Sequence, residues 1–87
     1  MKALSKGSPQ ADVVAWQRLL LALGRSSALG ERPDDGDYAT LTTRATRITQ
    51  AELGLTETGI ADRATQQLVA LEVAKLAARF LADEPPE

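Results

Sequence analysis

Neither cysteine nor histidine occurs in this 87-residue chain. Their absence excludes zinc fingers, disulfide scaffolds, thiol nucleophiles and imidazole general bases together. A serine nucleophile would then need a lysine base. The neighbours Ser5 and Lys6 point to opposite faces of an extended chain, so no residue set supports catalysis. Aromatic residues make up 3% of the chain, so aliphatic packing must carry its stability. Arg18 and Gly24 bound the only Leu-rich run, which is too short to span a membrane. Met1 to Lys6 lacks the apolar run of a signal peptide, so the chain is expected to be cytoplasmic at synthesis. Formal charge is −2 with no basic cluster along the sequence, which argues against nucleic acid as the main partner. Asp34, Asp35 and Asp37 lack the alternating ligands and closing Glu of a calcium loop, so they are expected to form a solvated turn. No metal and no cofactor is expected.

What is present is helical. Apolar residues reach 44%, enough for one modest core. Residues 1–82 are expected to form a single all-α domain of three helices, followed by a flexible acidic tail, 83–87. A short unit occurs twice: Gly36 to Thr42 and Gly59 to Thr65 both run from Gly to Thr, 23 positions apart. In each copy a glycine turn feeds a helix carrying the Thr in its first turn. Asp62 suits the N-cap of the second copy. Its counterpart Ala39 has no acceptor, so that helix is expected to start at Thr40.

The first helix is expected to start at Ser8-Pro9, with Ser as N-cap and Pro at the first helical position. Val13, Trp16, Leu20 and Leu23 form its apolar face, and Gly24 ends it in a left-handed conformation. Val14 and Leu21 add a surplus stripe that calls for cover. Arg25 to Asp37 reads as loop. The second helix runs from Thr40 to Leu53 and stops at Gly54, with Leu41, Ala45 and Ile48 as its clean stripe. The third helix follows Asp62 and continues to Ala82. Ala64, Leu68 and Leu71 lie on one side; Val69, Val73, Leu76 and Phe80 line another.

The ordered motifs resemble the three-helix peptidoglycan-binding domain found beside bacterial and phage cell-wall hydrolases. That family opens Leu-x-x-Gly-Ser, then Asp-Val-x-x-Leu-Gln-x-x-Leu-x-x-x-Gly. Here the residues are Leu4, Gly7-Ser8, Asp12-Val13, Trp16-Gln17, Leu20 and Gly24, with Trp16 in place of Leu. Its middle appears as Asp35-Gly36, Tyr38, Thr42, Ala45, Gln50 and Gly54-Leu55, and its end as Gly59-Ile60, Thr65 and Leu68. Four departures stand out. The family's Gly residues are Ala39 and Asp62, its core Val and Phe of the second helix are Thr46 and Thr49, its Asp before Gly-Ile is Thr58, and the third helix runs about ten residues further. Thr46 and Thr49 would bury hydroxyls unless these bond the carbonyl one turn back, or the helix is rotated to put Ile48 in the place of the Phe.

The resemblance implies a non-catalytic wall-binding or targeting module with peptidoglycan or a muropeptide as partner. Its ligand residues would be Asp35, Tyr38, Arg44, Gln50 and Arg63. Tyr38 either stacks on a sugar or fills the core, and Gln17 and Gln50 either bond loop backbone or contact ligand. Arg44, Arg47 and Arg63 are solvated unless they meet a muropeptide carboxylate. The rival function is a protein-interaction adaptor in a phage or secretion particle. Its surface would be Val14 and Leu21 with Val69, Val73, Leu76 and Phe80, used for a homodimer or another protein through the C-terminal helix.

Overall fold

The computed structural model describes residues 2–82 and is all-helical. Helix α1 is Gln10–Ala22, α2 is Ser26–Leu29, α3 is Thr40–Glu52 and α4 is Arg63–Ala82. α1 packs against the other three, and α2 lies on α3. The N-terminal segment is tied down by one antiparallel bridge, Leu4 to Ala61, with both backbone bonds at 2.9 Å. Gln66 adds a third tie, donating to the Lys2 carbonyl at 2.8 Å. The expected tail, 83–87, lies outside the described residues.

Helix boundaries follow local chemistry. Gly24 and Gly54 adopt φ of +87° and +74°, and each closes its helix with the same pair of bonds. After α1 the Arg25 and Gly24 amides return to the Leu20 and Leu21 carbonyls; after α3 the Leu55 and Gly54 amides return to Gln50 and Ala51. Asp62 caps α4, its Oδ1 accepting the Thr65 amide at 2.9 Å. This bond is the main reason its carboxyl is held below the usual value. α3 starts at Thr40 with Ala39 as its cap and no side-chain acceptor.

Three expectations are corrected. Pro9, rather than Ser8, occupies the N-cap of α1, because the Ser8 hydroxyl bonds back to the Ser5 amide at 3.0 Å. The segment from Arg25 to Asp37 is not all loop: α2 forms within it and buries Leu29. Leu21 of the surplus stripe of α1 is half-buried and packs against the edge of the core. Val14 is half-buried as well and lies against the turn, since a Cβ on Gly36 would come within 3.1 Å of it.

The third correction concerns α3. Its inward face is Thr42, Ala45, Thr46, Thr49 and Gln50, while Leu41 and Ile48 are exposed, so Ile48 does not replace the family's Phe. Each buried hydroxyl is satisfied one turn back, Thr46 on the Thr42 carbonyl and Thr49 on the Ala45 carbonyl, both at 2.8 Å. Each also receives a donor from elsewhere in the chain. The Trp16 indole N–H reaches Thr46 at 3.2 Å, and Arg25 Nε reaches Thr49 at 3.0 Å. The Trp16 and Thr46 departures are therefore complementary. An indole on α1 brings a buried N–H, and Thr on α3 supplies the acceptor that Val would lack. α4 likewise turns Thr65, Gln66 and Val69 inward and leaves Ala64 and Leu71 outside, with Leu68 half-buried.

Candidate functional site

Two glutamines hold the two glycine turns in the same way. Gln17 Oε1 accepts the Gly36 amide at 2.9 Å, while its Nε2 donates to the Asp37 carbonyl, Asp35 Oδ1 and Thr42 Oγ1. Gln50 Oε1 accepts the Thr58 and Gly59 amides, and its Nε2 donates to the Ile60 carbonyl, Thr58 Oγ1 and Thr65 Oγ1. In both units one amide therefore clamps a turn and the Thr in the first turn of the following helix. Gln17 and Gln50 are both about 1% exposed, and among the described residues no buried side-chain N or O lacks a partner. The repeat seen in the sequence is thus a repeat of the clamp.

These clamps shape a cleft against the outer side of α3. Its volume is about 570 Å³, within the roughly 300–1,000 Å³ of ligand clefts. Thr40, Thr43, Arg44 and Arg47 line it from α3, joined by Tyr38 and Ala39 from the turn and Lys6 from the N-terminal segment. Spacings of three, four and seven put the α3 residues on one face. Gly59 packs close to two of these residues: at φ +76° its Cα lies so near α3 that a Cβ would come within 2.7 Å of Thr43 and 3.1 Å of Arg47 Nε. Among the described residues none of Lys6, Arg44 and Arg47 makes an ion pair. No carboxylate among the described residues lines the cleft. Its electrostatic character is cationic on a chain whose net charge is −2.

The five ligand residues expected from the sequence are not brought together. Arg44 lines the cleft, and Tyr38 forms part of its wall. Only 2% of Tyr38 is exposed, too little for a sugar to stack on its ring. Its hydroxyl donates to the Gly59 carbonyl at 2.7 Å and lies 2.9 Å from Thr46 Oγ1. Burial raises its pKa above the ordinary value of 10.0. Every polar atom of the Gln50 amide is bonded to the chain. Asp35 braces its own turn, accepting the Asp37 amide and the Gln17 amide group, and the first of these chiefly lowers its pKa. It borders a separate hollow of about 150 Å³ shared with Arg32 and Leu29. Arg63 opens α4, is exposed, and does not line the cleft.

Sequence reasoning missed Lys6 and named Arg47 only as a conditional partner of a muropeptide carboxylate, outside the five ligand residues. The helical spacing of Thr40, Thr43, Arg44 and Arg47 would have added Arg47 to them. Nothing local signals Lys6, which is 38 positions away from Arg44. A further groove of about 330 Å³ lies between α1 and α4, lined by Lys2, Leu4, Asp12, Trp16, Leu19 and Gln66. It pairs one cation with one carboxylate and has no row of hydroxyls, so it offers less to a polar ligand.

Comparison with curated proteins and with solved structures gives no match. One family model matches, that of the "Putative peptidoglycan binding domain", over residues 9–69, more than two thirds of the chain. The match takes in α1, α2, α3, both clamped turns and the first part of α4, and the family is one of binding rather than catalytic domains. The chain belongs to this peptidoglycan-binding domain family.

Proposed function

We propose that the chain is a wall-targeting module that holds a glycopeptide fragment of bacterial peptidoglycan in the cleft along α3. The observation that carries this reading is the cleft itself, lined by Thr40, Thr43, Arg44 and Arg47 of α3 and by Lys6 of the N-terminal segment, the three cations making no ion pair among the described residues. Hydroxyls suit sugar and peptide hydrogen bonding, and fixed cations suit the anionic groups of a stem peptide. Co-sedimentation of the full chain with purified sacculi from several bacterial types tests it. Retention that falls for folded Arg44→Ala, Arg47→Ala protein supports the reading, and no retention on any sacculus type removes it.

A second reading rests on α4. Its distal half extends past the body, giving a longest dimension of 47 Å against 27 and 23 Å. Leu71, Leu76 and Leu81 are 49%, 42% and 64% exposed there. Val69 is fully buried and Val73 packs on the core, so among the described side chains of the expected α4 stripe Leu76 alone is presented outward. The Phe80 side chain lies outside the described residues. In this reading the exposed leucines seat another protein or a second copy of the chain. Light scattering checks the second-copy form: a concentration-dependent dimer abolished by Leu76→Glu supports it, and a strict monomer rejects it.

A further inference from the structure

We infer that the α3 cleft recognises free carboxylates of the peptidoglycan stem peptide rather than the sugar rings, so that carboxyl-modified peptidoglycan is a poor ligand. The inference rests on the wall-binding reading above and adds the chemistry that the cleft selects.

Charge is the first reason. The chain carries 10 basic and 12 acidic residues, yet among the described residues that line the cleft three are cations and none is an acid. Elsewhere among the described residues Arg18, Arg25 and Lys75 have carboxylate partners in Asp34, Glu52 and Glu72. Among the described residues Lys6, Arg44 and Arg47 have none, and neither do Lys2, Arg32, Arg63 and Arg79; what sets the three apart is that they line one cleft from two segments far apart in sequence. Geometry is the second reason. Arg44 and Arg47 lie three residues apart on one helix, and the Arg47 side chain from Cγ to Nε runs beside Gly59, where a Cβ would come within 3.1 Å of Nε. Two forks on one helix face match planar oxygen pairs, and Lys6 adds a point charge from the N-terminal segment. The third reason is the lack of a stacking platform. Tyr38 shows only 2% of its surface, and among the described residues no other aromatic lines the cleft, so there is little here to hold a neutral sugar face. The glycan backbone of peptidoglycan is uncharged. Its anionic groups are the carboxylates of its peptides, and these complement the cleft.

A phosphate-rich wall polymer shares the anionic character, so the experiment separates the two sources. Sacculi are stripped of phosphate polymers with hydrofluoric acid. Half of this material then has its peptide carboxylates converted to methylamides with carbodiimide and methylamine. The full chain is titrated with both forms and with unstripped sacculi. Stripped, unmodified sacculi are expected to bind, and the methylamidated form to bind about tenfold more weakly, as for loss of a charge-assisted contact. Arg44→Gln with Arg47→Gln is expected to lower binding to unmodified sacculi similarly and to add little on the methylamidated form, because both changes remove one interaction. If Arg47→Gln disturbs folding through its contact with Gly59, Lys6→Gln with Arg44→Gln tests the same charge with two exposed residues.

Equal affinity for unmodified and methylamidated sacculi would overturn the inference while leaving wall binding intact. Binding that appears only on unstripped sacculi would overturn it in favour of a phosphate polymer. No binding to any of the three would overturn it together with the wall-binding function on which it rests.

Discussion

Replacing Thr46 by Val tests the complementarity of α1 and α3 at a single oxygen. Thr46 is fully buried, and its Oγ1 contacts three groups: the Thr42 carbonyl at 2.8 Å, the Trp16 N–H at 3.2 Å and the Tyr38 hydroxyl at 2.9 Å. The Thr42 carbonyl keeps its helical amide partner in the variant, and Tyr38 keeps the Gly59 carbonyl. The Trp16 N–H keeps nothing. Leaving one buried donor unsatisfied costs about 1–3 kcal/mol. Exchanging the hydroxyl for a methyl returns up to about 0.8 kcal/mol of apolar burial. The net expectation is a loss of about 0.5–2 kcal/mol, with the melting temperature falling about 4–8 °C per kcal/mol in a domain of this size. The assay is denaturant and thermal unfolding followed by far-UV circular dichroism, in a cycle with Trp16→Phe. Phe removes the N–H, so in that background Thr46→Val should be neutral or stabilising, giving a coupling of about 1–2 kcal/mol. A Thr46→Val protein as stable as the parent with Trp16 in place, or an equal effect in both backgrounds, would refute the reasoning.

Other expectations follow from the clamps and caps. Asp62→Ala should lower stability at neutral pH by about 0.5–2 kcal/mol through loss of the cap. Because the folded-state pKa lies below the ordinary 3.8, the carboxylate's contribution is present above that value and is lost as pH falls through the folded one. The parent and variant unfolding curves should therefore converge in strong acid, and a gap that persists there would exclude the cap as its cause. Gln50→Ala strips partners from the buried Gly59 amide and the Thr65 hydroxyl at once, so it should cost at least about 2 kcal/mol. Hydrogen exchange should show faster loss of the Gly59 amide proton in that variant. Unchanged exchange would mean that the turn holds itself.

Most local signals were legible, the Ser8 cap of α1 excepted. The glycine stops after α1 and α3, the cap at Asp62 and the run of α4 to Ala82 each depend on residues within a few positions of one another. The inward face of α3 was misread for a physical reason. Leu41, Ala45 and Ile48 make the better apolar stripe, but Thr46 and Thr49 satisfy their own hydroxyls on backbone and take donors from Trp16 and Arg25, 30 and 24 positions away. Polarity that is internally satisfied is invisible to a hydrophobic period. α2 was missed because four residues are too few for a period; the buried Leu29 is what anchors it. The candidate site was half legible. Arg44 stood out beside the turn, whereas Gln50 and Asp35 were drawn into the ligand set by motif alone and prove to be braces of the turns. The cationic cluster exists only in space, since the fold brings Lys6 to the rim of α3.

The account's central claim is that peptidoglycan fragments bind along α3, and amide chemical-shift mapping of the full chain with soluble muropeptides tests it most directly. The predicted result is a set of concentration-dependent shifts centred on Lys6, Ala39, Thr40, Thr43, Arg44 and Arg47, with α1 largely unmoved. Shifts centred instead on Lys2, Asp12, Leu19 and Gln66 would move the site to the groove between α1 and α4, and an unchanged spectrum at saturating muropeptide would contradict the claim outright.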